Sequence, residues 1–273
     1  MHISFQHPQL TVFESALFRT TSTVVETPEL VLVTDPNCLP REIEAIQRHV
    51  KHIRGDRPVY LLFTHSDWDH ILGYRAFEGA ITIASKAFRD NPDPEKSLND
   101  IRKFDDEYYI LRPYPIEYPQ INIVVEADGQ VLEVGDTRLV FYQAPGHTPD
   151  GLFTIVEPYG VWLAGDYLSN IEFPFVYHSF KEYLHTLSHA SQILQRHAIR
   201  MLAPGHGDVT TGKPEIQARI EESEQYLRRV VRAVQNGNAI DEEELLSRYP
   251  FPGLLRKYHQ ENLELAKKEF NAA

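Results

Sequence analysis

Six consecutive residues, His65-Ser66-Asp67-Trp68-Asp69-His70, hold four side chains able to ligate a metal ion. Three more follow singly: His147 in Ala144-Pro145-Gly146-His147-Thr148, Asp166 in Leu163-Ala164-Gly165-Asp166, and His206 in Pro204-Gly205-His206-Gly207. Neutral imidazole and carboxylate suit Zn, Fe or Mn, and the lack of clustered thiols disfavours a soft-metal site. Alternate residues of an extended chain point the same way. The spacing therefore predicts that His65, Asp67 and Asp69 converge, while Ser66 and Trp68 turn away and His70 faces a second position. Glycines beside His147, Asp166 and His206 permit tight turns and close backbone approach.

Each cluster ends an apolar run. Val59-Tyr60-Leu61-Leu62-Phe63 and Leu139-Val140-Phe141-Tyr142 read as buried strands, and Val161-Trp162-Leu163 and Met201-Leu202-Ala203 as shorter ones. In open α/β sheets, ligands collect outside the carboxyl ends of strands. Four strands delivering imidazole or carboxylate there can build one polynuclear site. Upstream, residues 11–34 read as an antiparallel meander, and Pro40 opens a helix carried by Ile43, Ile46, Val50 and Ile53. A helix begun by Asp69 carries Ile71, Leu72, Tyr74 and Phe77, and a strand follows at residues 81–84. Residues 86–120 lack a sustained apolar period and read as a lid or binding loop. Short strands then run up to His147, and a helix carrying Phe180, Tyr183, Leu184 and Leu187 follows the loop from Tyr167 to His178. From Pro214 the chain is mainly helical, with one stripe at Ile216, Ile220, Leu227, Val230 and Val234 and another at Leu254, Leu255, Tyr258 and Leu265.

Composition bounds the function. The 273 residues are 42% hydrophobic and 24% charged, ordinary for a globular α/β protein with a sizeable core. Lys and Arg number 27 against 39 Asp and Glu, a formal charge of −12, which argues against nucleic acid as substrate. No apolar stretch approaches the ~20 residues of a membrane span, and the N-terminus shows no signal peptide. The single cysteine, Cys38, excludes an intramolecular disulfide and points to a reducing compartment. The expected partner is a small-molecule substrate, and the expected location is cytoplasmic.

Taken together, Thr64-His65-Ser66-Asp67-Trp68-Asp69-His70, Pro145-Gly146-His147-Thr148, Gly165-Asp166 and Pro204-Gly205-His206-Gly207 resemble the ordered motifs of the metallo-β-lactamase superfamily. The resemblance covers about residues 11–212. It implies an α/β fold, an αβ/βα four-layer sandwich of two mixed sheets with helices outside. By resemblance, His65, residue 67 and His147 bind one metal, Asp69, His70 and His206 a second, and Asp166 bridges them. Asp at 166 is similar to the glyoxalase II, lactonase and phosphodiesterase branches. The domain reading that follows is a catalytic domain over 1–212 and a helical C-terminal extension over 213–273, packed on the same domain.

Asp67 departs from the family's usual His-x-His-x-Asp-His, standing where the second histidine belongs. Flavodiiron proteins carry Glu there, but this chain lacks room for their flavodoxin domain. Persulfide dioxygenase-like members use one iron, and their ligands map here to His65, His147 and Asp166. Three aspartates and a bridging hydroxide balance the charge of two divalent ions, whereas a histidine at 67 would leave +1. This harder ligand set shifts preference toward Fe or Mn and weakens Lewis acidity. The expected cofactors are two divalent ions, zinc foremost, with Fe or Mn as alternatives.

The expected activity is hydrolysis of a small ester, thioester, lactone or related bond by a metal-bridging hydroxide, with Asp69 orienting the nucleophile and carrying a proton. The alternative is iron-dependent redox chemistry at the same residues. Tyr167, Phe173, Phe175, Tyr177 and His178 are the expected substrate contacts, and Tyr108, Tyr109, Tyr114 and Tyr118 could wall the pocket from the first loop. His185 and His189 have helical zinc-ligand spacing but no third ligand, so they read as a solvated face. Cys38 precedes a helix, where a thiolate could be stabilised, yet it has no partner base and reads as a packed bystander.

Overall fold

The computed structural model describes residues 2–270, so residue 1 and residues 271–273, the outer ends of the two expected segments, lie outside the described residues. Its first sheet has seven strands in chain order: β1 (His2–His7), β2 (Leu10–Glu14), β3 (Thr21–Glu26), β4 (Val31–Thr34), β5 (Val59–Leu62), β6 (Ile81–Ser85) and β7 (Ile123–Val125). β1 to β4 pair antiparallel as a meander, and β4 to β7 pair parallel, joined by crossovers. The second sheet is built from β8 (Gln130–Val134), β9 (Thr137–Gln143), β10 (Leu152–Glu157), β11 (Val161–Leu163) and β12 (Met201–Ala203). Its order is β12-β11-β10-β9-β8, with only the β11–β12 pair parallel.

Two-residue periodicity explains the layering. Leu30 and Leu32 face the second sheet and meet Leu139, Phe141, Leu163 and Met201 between the sheets. Val31 and Val33, on the opposite face, pack with Ile43 and Ile46 of helix α1 (Pro40–Ile53). On the outer face of the five-stranded sheet, Phe153 and Trp162 pack under Phe180, Tyr183 and Leu187 of α5 (Phe180–Arg196). The same core takes in Ile216, Ile220 and Leu227 of α6 (Lys213–Asn236) and Leu255 of α8 (Pro252–Phe270). Helix, sheet, sheet, helix is the expected αβ/βα sandwich.

Several local expectations change. The helix after the ligand cluster is only one turn, α2 (Trp68–Ile71), and a 3₁₀ turn at Tyr74–Ala76 follows. Gly73 separates them, its Cα lying so close to Pro36 that a Cβ would fall 2.5 Å from the Pro36 carbonyl oxygen. Residues 86–120 are irregular only in part: they form α3 (Lys86–Arg89) and α4 (Pro94–Glu107), and 108–120 lack regular structure. The buried stripe of α4 is only Leu98, Ile101 and Phe104, set among charged residues, so its helical period is short and faint. Short α7 (Glu242–Leu246) links α6 and α8. In α8 the buried face is Leu255, His259, Asn262 and Ala266, one step round from the predicted stripe, and Leu254 stays exposed.

Candidate metal centre

The ligand-type residues follow the carboxyl ends of β5, β9, β11 and β12, one from the first sheet and three from the second. In the first group, Asp67 Oδ2 lies 3.8 Å from His65 Nε2 and 3.2 Å from His147 Nε2. In the second, Asp69 Oδ2 lies 3.8 Å from His70 Nε2 and 3.6 Å from His206 Nε2. Asp166 stands between them. Its Oδ2 is 3.6, 3.3 and 3.4 Å from His65, His147 and His206, and its Oδ1 is 3.0 Å from His70. Donor atoms sharing one ion at about 2.0–2.2 Å sit roughly 3–3.8 Å apart at angles of about 90–120°, so these separations fit ligation.

Asp69 departs from the alternation reading. Asp67 is the N-cap of α2, with φ −61° and ψ 146°, and the chain turns helical at Trp68. Asp69 therefore swings away from His65 and Asp67 and joins His70 and His206. Trp68 lines the cavity as well.

The outward nitrogens decide what the inward ones can do. His147 Nδ1 donates to the Phe175 carbonyl at 2.7 Å and His206 Nδ1 to the Phe18 carbonyl at 2.9 Å. A carbonyl only accepts, so each Nδ1 carries the proton. Asp35, buried at the end of β4, accepts the Thr64 N–H at 2.9 Å and the Thr64 hydroxyl at 2.5 Å. Its Oδ2 also accepts from His70 Nδ1 at 3.0 Å. The Thr64 hydroxyl, its proton committed to Asp35, accepts in turn from His65 Nδ1 at 3.0 Å. Every ring thus points a lone pair inward, the arrangement that orients metal-bound imidazoles. His65, His70 and His147 Nε2 and Asp166 Oδ1 are buried without a hydrogen-bond partner. Buried polar atoms are normally satisfied, so a converging set of orphaned donors for a cation fits a metal ion.

Protons compete for the same sites. Burial opposes charge on His70, yet Asp166, Asp69 and Asp35 outweigh it and raise the imidazole well above its ordinary value. His147 rises likewise against burial through Asp166 and Asp67, and His206 is pushed up to about 10 by Asp166 and Glu172. Against its own burial, Asp166 is held well below the usual carboxylate range by His70, His206 and His65.

Backbone strain concentrates behind these ligands. Phe18, Asp35 and Leu168 have φ of 56°, 45° and 61°, the left-handed region that costs non-glycine residues energy. Phe18 and Asp35 are hydrogen-bond acceptors for His206 and His70, and the Leu168 carbonyl accepts from Arg219 at 3.1 Å. Gly205 meets the expectation of close approach: a Cβ there would collide with Asp166 Oδ1. Gly146, at φ 133°, lies against the backbone of Tyr183 with the same consequence.

The cavity above the centre is lined by Asp67, Trp68, Asp69, His147, Asp166, His206, Phe18, Glu172, Phe175, Tyr177, Leu254 and Tyr258. Of the five expected substrate contacts, Phe175 and Tyr177 reach it, the Tyr177 ring lying 5.0 Å from that of His147. Tyr167 and Phe173 do not. The Tyr167 hydroxyl bonds the Ala144 and Pro145 carbonyls and accepts the His147 N–H, so it holds the His147 turn from below. Phe173 is buried and stacks on Tyr226 of α6 at 4.4 Å, because α6 and α8 cover that side of the loop. His178 sits outside the cavity, exposed, with Glu182 at 2.8 Å.

The tyrosines of residues 108–118 do not line the cavity either. Instead α4 braces the ligand loop: Ser97 Oγ donates to the Ser66 carbonyl at 2.7 Å, and Phe104 packs 4.7 Å from Trp68. Cys38 is fully buried, which pushes its thiol up, so no thiolate is held there. A roomier groove between α1 and β6, lined by Gln47, Lys51, Arg54 and Phe77, lies away from all these side chains.

Sequence reasoning missed Asp35, Phe18, Glu172, Leu254 and Tyr258. Only Asp35 had a signal, since it too follows an apolar run, Leu30-Val31-Leu32-Val33-Thr34.

Residues 16–210 match the family model for the metallo-beta-lactamase superfamily. The chain belongs to this superfamily. Membership makes it, in general terms, a metal-dependent hydrolase. No curated protein matches the sequence. A metallo-beta-lactamase family protein from Thermus thermophilus is 21% identical over 96% of this chain and 94% of its own, with a TM-score of 0.65. The stereoselective inverting sec-alkylsulfatase Pisa1 from Pseudomonas sp. is 14% identical over 97% of this chain, with a TM-score of 0.68. This chain spans 49% of that enzyme's length. ETHE1 from Myxococcus xanthus is 15% identical over 81% of this chain and 90% of its own, with a TM-score of 0.54. At these identities the likeness is one of fold. Among the described residues, no helix is long and apolar enough to cross a membrane.

Proposed function

We propose that the protein hydrolyses a small ester, thioester, lactone or related bond, as in the glyoxalase II and lactonase branches of its superfamily, with two divalent ions, zinc foremost. The observation that carries this reading is the set of imidazoles whose outer nitrogens are pinned and whose inner ones converge on Asp166. His65, Asp67 and His147 would hold one ion, Asp69, His70 and His206 the other, with Asp166 shared. Such ions lower the pKa of bound water toward neutrality and polarise the attacked oxygen.

The chain's own groups supply the rest. Asp69 lines the cavity, with its Oδ2 within 4 Å of His70 and His206, and would take a proton from the attacking water and return it to the leaving group. Phe175 and Tyr177 exclude water from one side of the centre, and Trp68 and Phe18 from another. We take 1–212 as the catalytic body and 213–273 as a helical extension that completes the cavity wall through Leu254 and Tyr258. The cytoplasm is the compartment we propose, supported by the single buried thiol.

Metal analysis of purified protein with an ester, thioester and lactone panel tests the reading. About two zinc ions per chain and hydrolysis, with both lost in His65→Ala and His206→Ala, is the expected result. Unchanged metal content in both variants would sink the ligand assignment. The second reading, iron-dependent redox chemistry at His65, His147 and Asp166, is favoured by one feature, the hard oxygen ligand that Asp67 adds. Iron with visible charge-transfer bands and no hydrolysis would establish it instead.

A further inference from the structure

Glu172 is the cavity's unassigned acid. It belongs to neither ligand group, and among the described residues no hydrogen-bond or ion-pair partner faces it. Burial pushes its carboxyl up against the pull of His206 and His147, and no Lys or Arg contributes. No described Lys or Arg lines the cavity. The basic residues next in sequence to lining residues are engaged elsewhere. Arg19 pairs with Glu14 at 2.8 Å and Asp208 at 2.6 Å, and Lys257 lies over the outer Tyr258 ring at 5.6 Å with Glu261 3.6 Å away.

Charge counting points the same way. Ionised, Asp67, Asp69, Asp166 and Glu172 bring four negative charges, which two divalent ions would only cancel, and a bridging hydroxide would add a fifth. Nothing is left over to draw in a carboxylate, sulfate or phosphate group. Aromatic rings line the same cavity as Glu172. Tyr258 is already stacked on Phe175 at 4.0 Å, whereas Phe18 and Tyr177 are 42% and 44% exposed at the rim. Such rings attract cations through their faces, and ammonium groups with methyl substituents suit them best.

We propose that Glu172, with the rim rings Phe18 and Tyr177, holds a cationic group of the substrate, so that this site takes esters of amino or quaternary-ammonium alcohols rather than anionic esters. This rests on the hydrolytic reading above, and it deepens that reading to a substrate class. It also separates this cavity from any site built for an alkyl sulfate monoester, which would need a positive wall.

The test uses two shape-matched pairs that differ by a charged nitrogen against a neutral carbon. Choline and 3,3-dimethylbutan-1-ol report binding to the metal-loaded protein by calorimetry, and their acetate esters report turnover. The wild type should bind choline roughly tenfold more tightly than the neutral alcohol. That preference should vanish in Glu172→Gln and shrink in Tyr177→Leu, with metal content retained in both. Equal binding of the two alcohols by the wild type, or a preference that survives Glu172→Gln, overturns the proposal. Charge-selective binding with neither acetate hydrolysed would leave the cation site standing and break the hydrolytic reading. Hydrolysis of both acetates at equal kcat/KM, with no binding preference, would do the reverse.

Discussion

The floor and the roof of the cavity are held by different means. On the floor, His65 and His70 are fixed by Thr64 and by Asp35 at the end of the neighbouring strand, and Asp166 is crowded by Gly205. The roof, residues 167–178, is fixed by the far end of the chain. Asn262 of α8 accepts the Val176 N–H at 2.9 Å and donates to the Pro174 carbonyl at 2.8 Å, and Glu269 caps the start of α5 through the Phe180 N–H at 2.8 Å. The two parts meet where the Phe175 carbonyl accepts the hydrogen bond from His147 Nδ1. The floor is built from strand ends and the roof hangs from a terminal helix, so His147 is the ligand through which a change above would reach the centre.

The largest break in the comparison should come from Phe173→Ala. Its ring is buried in the outer core and stacked on Tyr226, so its loss should cost about 3–5 kcal/mol of stability, read by denaturant melts. Phe175→Ala, on the cavity side, should instead lower kcat/KM by roughly 10–200-fold while metal content persists. Equal behaviour of the two variants would show that the loop does not divide into a core side and a cavity side.

Asp35→Ala attacks the floor. It frees the Thr64 N–H and both upstream imidazoles, so metal affinity should fall about 10–100-fold in chelator competition. An unchanged affinity would mean that the rings are held by packing alone. Asn262→Ala attacks the roof and should cost about 1–3 kcal/mol, the scale of an unsatisfied buried amide, with kcat/KM reduced and metal affinity retained. A drop in metal affinity here would show that floor and roof are one unit.

The smallest effect is one of pH. His206 is raised to about 10, so in chelated protein its contribution to stability is complete below the ordinary histidine value of about 6.5 and fades as pH rises through about 10. The chelated protein should therefore melt lower at pH 10 than at pH 7. The metal-loaded protein should not, because the ions replace the protons, and loading at pH 7 should release protons in calorimetry. Identical profiles with and without chelator would remove the competition between protons and metal.

Most of the fold was legible because its cues are short-range. The meander, α1, β5 and β6, α5 and the helical tail all follow from period-two or period-3.6 apolar patterns. α4 was not legible, because three buried residues among charged neighbours make too short a stripe. The candidate ligands were legible because each ends an apolar run, and their side chains have few roles other than metal or proton chemistry. Asp35 could have been read by the same rule.

The sequence by itself determined which residue types arrive at the carboxyl ends of the strands, and hence that imidazoles and carboxylates would gather there. Only the tertiary structure decided how they are shared out. A single turn of helix sends Asp69 to His70 and His206 rather than to His65, since each helical residue rotates the chain by about 100°. Only the tertiary structure, too, turned Tyr167 and Phe173 into the core, left Glu172 facing the cavity, and brought Tyr258 over it. The direction of a loop side chain is set by what packs against the loop. Here that partner is a helix whose Asn262 lies 88 residues beyond Pro174, and no local pattern carries that information.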